Sequence, residues 1–282
     1  MKTLLIFFFL FASLTVTAGI SPAEKAALIV FNQTTNGSAW VHKWDVSAPV
    51  ESWYGVTVFD GKVISLDLSE NNLSGQLPEE LGELVHLQQL NLFRNAISGQ
   101  IPATFSNLKK LLTLNIAFNR LSGIIPPTLA DATSLIRIEL HMNMLSGNLP
   151  AELGKLTSLQ VLSLYNNQIE GEIPASFYSL KAIKILLLSS NSLSGKLSSE
   201  IANMESLETL SLFENNLEGQ VPLDLEKLRN LRELNISYNG FDGFVSPYLS
   251  KLDTLHMTMF NERGMAMALP VQISNTAIAT ED

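Results

Sequence analysis

Residues 94–108 read RNAISGQIPATFSNL. Nearly the same phrase stands at 70–84 as ENNLSGQLPEELGEL, at 118–132 as FNRLSGIIPPTLADA and at 142–156 as MNMLSGNLPAELGKL. Aligned on asparagine, the copies place Asn71, Asn95, Asn119, Asn143, Asn167, Asn191, Asn215 and Asn239 at a spacing of 24 with no insertion. The glycines from Gly75 to Gly243 keep the same step, as does an aliphatic series of Leu66, Leu90, Leu114, Ile138, Leu162, Leu186, Leu210 and Leu234. Eight copies of 24 residues therefore fill 63–254. A fixed period of this length signals a solenoid, in which each coil is one supersecondary unit stacked on the next.

One copy, Leu87 to Lys110, shows what each position does. Leu90 and Leu92 alternate with Asn91 and Phe93, the period of a short strand with one face inward. Asn95 meets a bend, where its amide both donates and accepts toward backbone groups trapped there. Ile97 points inward, Gly99 permits a sharp path, and Pro102 suits the start of a helical turn. Phe105 and Leu108 lie three apart, as a short helical or 3₁₀ segment needs, and Leu111 closes the coil. One copy buries too few apolar side chains to offset the entropy of ordering its backbone. The phrase recurs because each coil completes its neighbour's core.

Composition sets limits on the rest. The chain has 282 residues, 46% hydrophobic and 16% charged, with a formal charge of −9. That charge argues against nucleic acid, since a phosphate-binding face needs clustered Lys and Arg. With no cysteine, disulfides and thiolate metal sites are excluded. Residues 1–18, MKTLLIFFFLFASLTVTA, have one Lys, an apolar run and small residues at Val16 and Ala18. This is the pattern of an export signal cleaved after Ala18, and the run is short for a bilayer span. No later stretch is apolar enough to cross a membrane. The expectation is a secreted or cell-surface protein without stable membrane insertion once the signal is removed.

At the phrase LSGxIPxxLGxL the sequence resembles the plant-type leucine-rich repeat, as in receptor-kinase ectodomains and polygalacturonase inhibitors. It is similar as well to secreted bacterial leucine-rich repeat proteins. The resemblance covers 24–254. It implies an α/β solenoid, a right-handed superhelix with a concave parallel β-sheet and a convex side of short 3₁₀ or helical turns. It implies protein or ligand binding on a curved scaffold. Residues 19–62 resemble the family's N-terminal cap, in which a cysteine pair flanks W-x-G-V; here Glu51 and Val58 stand around Trp53, Gly55 and Val56. A helix is expected over 23–32, with Pro22 in its first turn and Ala27, Leu28 and Phe31 on one face. Trp40, Trp44 and Trp53 then cover the first coil, or alternatively form a sugar platform. Residues 255–282 lose the pattern. Leu255, Met257, Met259 and Phe260 are candidates to cap the last coil, and LPVQISNTAIA to add a strand or two.

The exposed strand positions form four columns that do not repeat. They place Phe93, Phe118, Met142, Val161, Tyr165, Ile185, Leu187 and Phe213 on a face meant for water, beside Arg94, Arg137, Glu139 and His141. Exposed apolar clusters with aromatic and Arg anchors mark interaction sites. The candidate binding residues are Phe93, Arg94, Phe118, Arg137, Glu139, His141, Met142, Tyr165, Leu187 and Phe213. The competing reading is that the aromatics only pack on one another across adjacent strands.

Catalysis finds little support. His42, His86, His141 and His256 have no short metal-ligand spacing. Glu139 stands ready to pair with His141, but no nucleophilic serine stands out. Every glycine run belongs to the repeat, so no phosphate loop or cofactor site is expected. N-x-S/T tripeptides begin at Asn32, Asn36, Asn72 and Asn235. The expected function is a protein- or peptide-binding scaffold, with a glycan-binding or adhesive surface as the alternative. An ice-binding face would need a regular Thr or Asn array, which the mixed columns do not supply.

Overall fold

The computed structural model describes residues 19–253, 255, 257–260 and 264–271. The expected export signal at 1–18 and the stretch from Gln272 onward lie outside the described residues.

Each copy contributes three short elements. In repeat 2 these are an inner strand Gln89–Asn91, a second strand Ala96–Gly99 and a 3₁₀ turn Ala103–Asn107. The inner strands stack in parallel, in register at the full repeat, so that Leu66 lies opposite Leu90, Leu90 opposite Leu114 and Leu162 opposite Leu186. Alternation decides their faces. The middle residue of each strand is at most 1% exposed from Leu66 to Leu234, and its neighbours face out.

Sequence reading missed the second sheet. The S-G-x segments, expected to be bends, form an eight-stranded array along the flank. Its register differs: Gly75 pairs with Ile97, Ser98 with Arg120 and Gly219 with Phe241, a step of 22 rather than 24. Each flank strand is thus sheared by two residues, about 7 Å, against its equivalent in the next coil. The glycine makes room for this. At Gly147, φ is +74°, and a Cβ there would lie 3.0 Å from Cγ2 of Ile124, the side chain that the preceding coil lays across it.

The asparagine column ties the two sheets together. Asn95 Nδ2 donates to Leu92 O at 3.0 Å in its own coil and to Leu68 O at 2.9 Å in the coil before. Its Oδ1 accepts from Leu73 N at 2.9 Å and Asn71 N at 3.0 Å. The pattern of carbonyls 27 and 3 residues back and an amide 22 back repeats through Asn239. These amides satisfy bend groups that water does not reach.

Each end of the stack would leave a sheet edge unpaired, and each is closed differently. Helix α1, Pro22–Thr34, starts one residue earlier and ends two later than the sequence suggested, because Ser21 and Glu24 form a capping box and Thr35 closes the last turn. Glu24 is 4% exposed, and its Oε1 accepts from Val63 N at 3.2 Å, joining α1 to the first inner strand. That strand, β2 (Lys62–Asp67), pairs antiparallel with β1 (Val56–Phe59). Trp40, Trp44 and Trp53 are 2%, 8% and 3% exposed, with each indole N–H on a backbone carbonyl. They are core, and the sugar-platform alternative falls. At the far end Asp253, 1% exposed, accepts from Ile236 N at 3.0 Å where a ninth coil would have paired. Met257 and Met259 are buried beside it, whereas Leu255 and Phe260 are 38% and 46% exposed. The strand found there is Ala266–Ala268, antiparallel to Thr258–Phe260, and Val271 makes one parallel bridge to Val245. Among the described residues no helix is long and apolar enough to cross a membrane.

Candidate ligand-binding face

The outward side of the inner sheet is built from two positions on each three-residue strand and two just past it. The fourth differs in kind from what the sequence suggested. Glu70, Arg94, Phe118, Met142, Asn166, Ser190, Glu214 and Tyr238 have φ between 52° and 58°, so they sit on a left-handed turn rather than on the sheet. The repeat imposes that turn whatever residue occupies it, since the ladder asparagine must follow. Braces hold the turn in some coils. Asn91 Oδ1 accepts from Phe93 N at 3.2 Å and Asn115 Oδ1 from Ala117 N at 3.1 Å. Sequence reading gave these asparagines no role, although an amide two residues before a bend is the signal of an Asx turn.

Rings fall into two runs. In the first, Phe93 and Phe118 meet edge to face with centroids 5.3 Å apart, Phe118 meets His141 likewise at 5.5 Å, and His141 stacks on Tyr165 at 4.3 Å. In the second, Phe213 meets Tyr238 at 5.1 Å and Tyr238 stacks on Phe260 at 5.1 Å. The rings do pack across strands, at distances where such pairs are favourable. They are nevertheless not covered: Phe118 is 37% exposed, and Phe93, His141, Tyr165, Phe213 and Tyr238 are half-buried.

The charged candidates are paired. Arg94 Nη1 lies 3.1 Å from Glu70 Oε1 of the previous coil, and Arg137 Nη1 lies 3.3 Å from Glu139 Oε1 on its own strand. Glu139 is thus taken by Arg137, two residues away on the same face, and no hydrogen bond joins it to His141. The partner of His141 is Ser163, whose Oγ lies 3.0 Å from Nδ1. Ser163 is 3% exposed, a satisfied buried hydroxyl that sequence reading did not single out. Burial lowers the His141 pKa from its ordinary value, and the Glu139 charge works the other way. Burial also raises the Tyr165 pKa, with Glu139 adding to the rise, so its phenol stays neutral. Met142 takes a hydrogen bond from Asn166 Nδ2 at 2.9 Å, and Leu187 is half-buried next to Ile185 on the sixth strand. Among the described residues no three metal-ligating side chains come together.

Known proteins resemble this arrangement. The profile for "Leucine-rich repeat region" matches residues 137–260, and that for "Leucine Rich Repeat" matches 62–84, 86–108 and 110–132. A curated relative, the leucine-rich repeat receptor protein kinase EMS1 of Arabidopsis thaliana, is 34% identical over 88 residues, or 30% of this chain and 7% of the relative. Among solved structures, the plant peptide hormone receptor RGFR1 in complex with RGF2 superposes with a TM-score of 0.64 at 34% identity, over 73% of this chain and 32% of that one. The ectodomain of the Arabidopsis thaliana receptor kinase GASSHO1/SCHENGEN3 in complex with CASPARIAN STRIP INTEGRITY FACTOR 2 gives 0.60 at 26% identity, over 81% and 34%. The chain thus spans about a third of those two receptor structures.

Proposed function

Because the chain belongs to the leucine-rich repeat family, in its plant-type form, we propose that it is an extracellular scaffold holding a peptide or an extended protein segment along its inner sheet, and not a catalyst. The observation that carries this is the ring lane, Phe93, Phe118, His141 and Tyr165, left half-open on a surface whose core side is uniform. Two further points support it. The solved structures of RGFR1, a plant peptide hormone receptor, and of GASSHO1/SCHENGEN3 are complexes, with RGF2 and with CASPARIAN STRIP INTEGRITY FACTOR 2. The leading residues carry an export pattern.

Strand spacing sets the ligand's length. From Phe93 in the second coil to Phe260 past the eighth is seven steps of about 4.8 Å, which an extended chain crosses in about ten residues. The test is selection from a random decapeptide library on the wild-type chain, followed by binding to the Phe93→Ala, Tyr165→Ala double variant. Each ring contact contributes only about 0.5–1.5 kcal/mol to the fold, so the variant should still unfold cooperatively. Selected peptides should lose at least about tenfold in affinity. Equal binding to both proteins would remove the inner face as the site.

A further inference from the structure

Between Phe93 and Phe260 the ring column has one gap, and its neighbours show what fills such a gap. In two coils where the third outward position is small, the left-handed residue after it supplies a ring; in the first coil, outside the ring column, Ser69 is followed by Glu70. Phe118 follows Ala117 and Tyr238 follows Ser237; both small residues are 0% exposed, Ser237 with its Oγ bonded to Asp253 and to Thr258 N. Each supplied ring contacts rings on both sides. In the sixth coil both positions are small, Ser189 and Ser190, and both are half-buried. Among the described residues no ring bridges Tyr165 to Phe213. Both outer positions of the same strand are apolar there, Ile185 and Leu187, whereas the other coils carry polar residues at these positions apart from Val161.

Tyr165 and Phe213 are two strands apart, about 10 Å. A ring set midway would stand about 5 Å from each, within the range that aromatic pairs favour. Charge says more. The carboxylates of Arg94's and Arg137's partners are neutralised in place, but Glu214 and Glu233 have no cation within salt-bridge reach among the described residues. Glu214 is held by Ser190 Oγ at 2.7 Å and Glu233 by Thr209 Oγ1 at 3.3 Å, at the edge of the slot and beyond it.

We propose that the slot over Ser189 and Ser190 is the specificity pocket of the inner face, taking an aromatic side chain of a peptide segment whose neighbouring residue is Lys or Arg. This rests on the peptide-holding reading above and adds the chemistry of the occupant. The fold already carries the plug that tests it. Ser190→Phe puts a ring where Phe118 and Tyr238 carry one, at φ 52° against their 55° and 58°; it gives up the exposed bond to Glu214 but touches no core residue, so the chain should still fold while the slot fills.

The decapeptides selected on the wild-type chain are sequenced and their affinities measured against three variants. The expected result is that they share an aromatic residue beside a basic one. Ser190→Phe should weaken them at least about tenfold, and Glu214→Gln several-fold with a shallower dependence on salt. Ser189→Phe serves as a second plug should the first fail to fold. Phe93→Ala with Phe118→Ala, which leaves the slot intact, separates the two readings. Peptides weakened by that pair but indifferent to the plug overturn the slot and leave the inner face standing. Selected peptides without aromatic–basic pairs also overturn the slot. Peptides indifferent to all variants, or no peptides recovered, overturn both.

Discussion

Leu186 and Leu187 are the same residue type on one three-residue strand, yet they live under different rules. Leu186 faces inward with 1% exposure, in a column that reads Leu or Ile in all eight coils. Leu187 faces outward, in a column that otherwise reads Asp, Asn, Glu or Ser. The inward column is uniform because every coil must match the one above and below it. The outward column is under no such demand for uniformity, although Asn91 Nδ2 donates to Asp67 Oδ1 at 3.0 Å along it. The contrast separates residues that keep the solenoid from residues proposed to use it, and substitution at adjacent positions puts it to the strongest test. Leu186→Asp drives a carboxylate into the dry interior and should cost about 4 kcal/mol or more. Leu187→Asp should cost at most about 1 kcal/mol. Urea denaturation of the two variants gives both numbers, and equal losses would erase the distinction.

A smaller difference is expected between two asparagines. Asn143 donates to Ile116 O and Leu140 O at 3.0 Å each and accepts from Leu121 N at 2.9 Å. Asn143→Ala strands these groups at the bend and should cost about 2–3 kcal/mol. Asn115 points outward and makes one brace, to Ala117 N at 3.1 Å, so Asn115→Ala should cost about 0.5–1 kcal/mol. Thermal melting of the pair decides.

What the sequence made legible follows the same divide. The core column, the asparagine ladder and the 3₁₀ turns repeat, and eight copies turn weak local signals into a strong one. The flank sheet was missed because S-G-x is too short and too Gly-rich to read as a strand. Its pairing exists only between coils, at a step of 22 that the 24-residue alignment hides. The two end closures rest on single residues. Nothing in the sequence separates Glu24 or Asp253 from surface acids until Val63 N and Ile236 N are placed beside them. Of the ten candidate residues on the outward side, seven were placed by alternation, and Arg94, Phe118 and Met142 by their place just past it, at turns of positive φ. Which of them touch was not legible, as Ser163 taking His141 from Glu139 shows.

Positive φ offers a third comparison. Met142 and Gly147 lie on one coil at φ of +57° and +74°. Met142 tolerates a side chain because it turns out over open surface, whereas Gly147 lies under Ile124. Gly147→Val adds backbone strain to that contact and should cost about 1–3 kcal/mol. Met142→Gly relieves the left-handed strain and should change stability by no more than about 1 kcal/mol. Valine at 147 without effect in a melting experiment would mean that the flank sheet yields to let Ile124 move.

The smallest effect belongs to acid, and within the inner sheet it falls on the outward side. The inward column from Leu66 to Leu234 carries no titratable group, while His141 sits in the ring lane between Phe118 and Tyr165 with Nδ1 on Ser163 Oγ. The charges that face it are Glu139 and Arg137, which are occupied with each other. Burial lowers the His141 pKa from the ordinary 6.5, and Glu139 partly opposes this. For a base with a lowered folded pKa, the unfolded chain binds the proton first as pH falls. The His141 contribution to stability is therefore complete above 6.5 and declines below it, until the folded ring protonates as well. The decline is modest, because the ring is only half-buried and a carboxylate lies close by. Denaturation midpoints followed downward from neutral pH should fall faster in the wild-type chain than in His141→Gln. Parallel curves would place the acid sensitivity elsewhere and leave both sides of the sheet equally indifferent to protons.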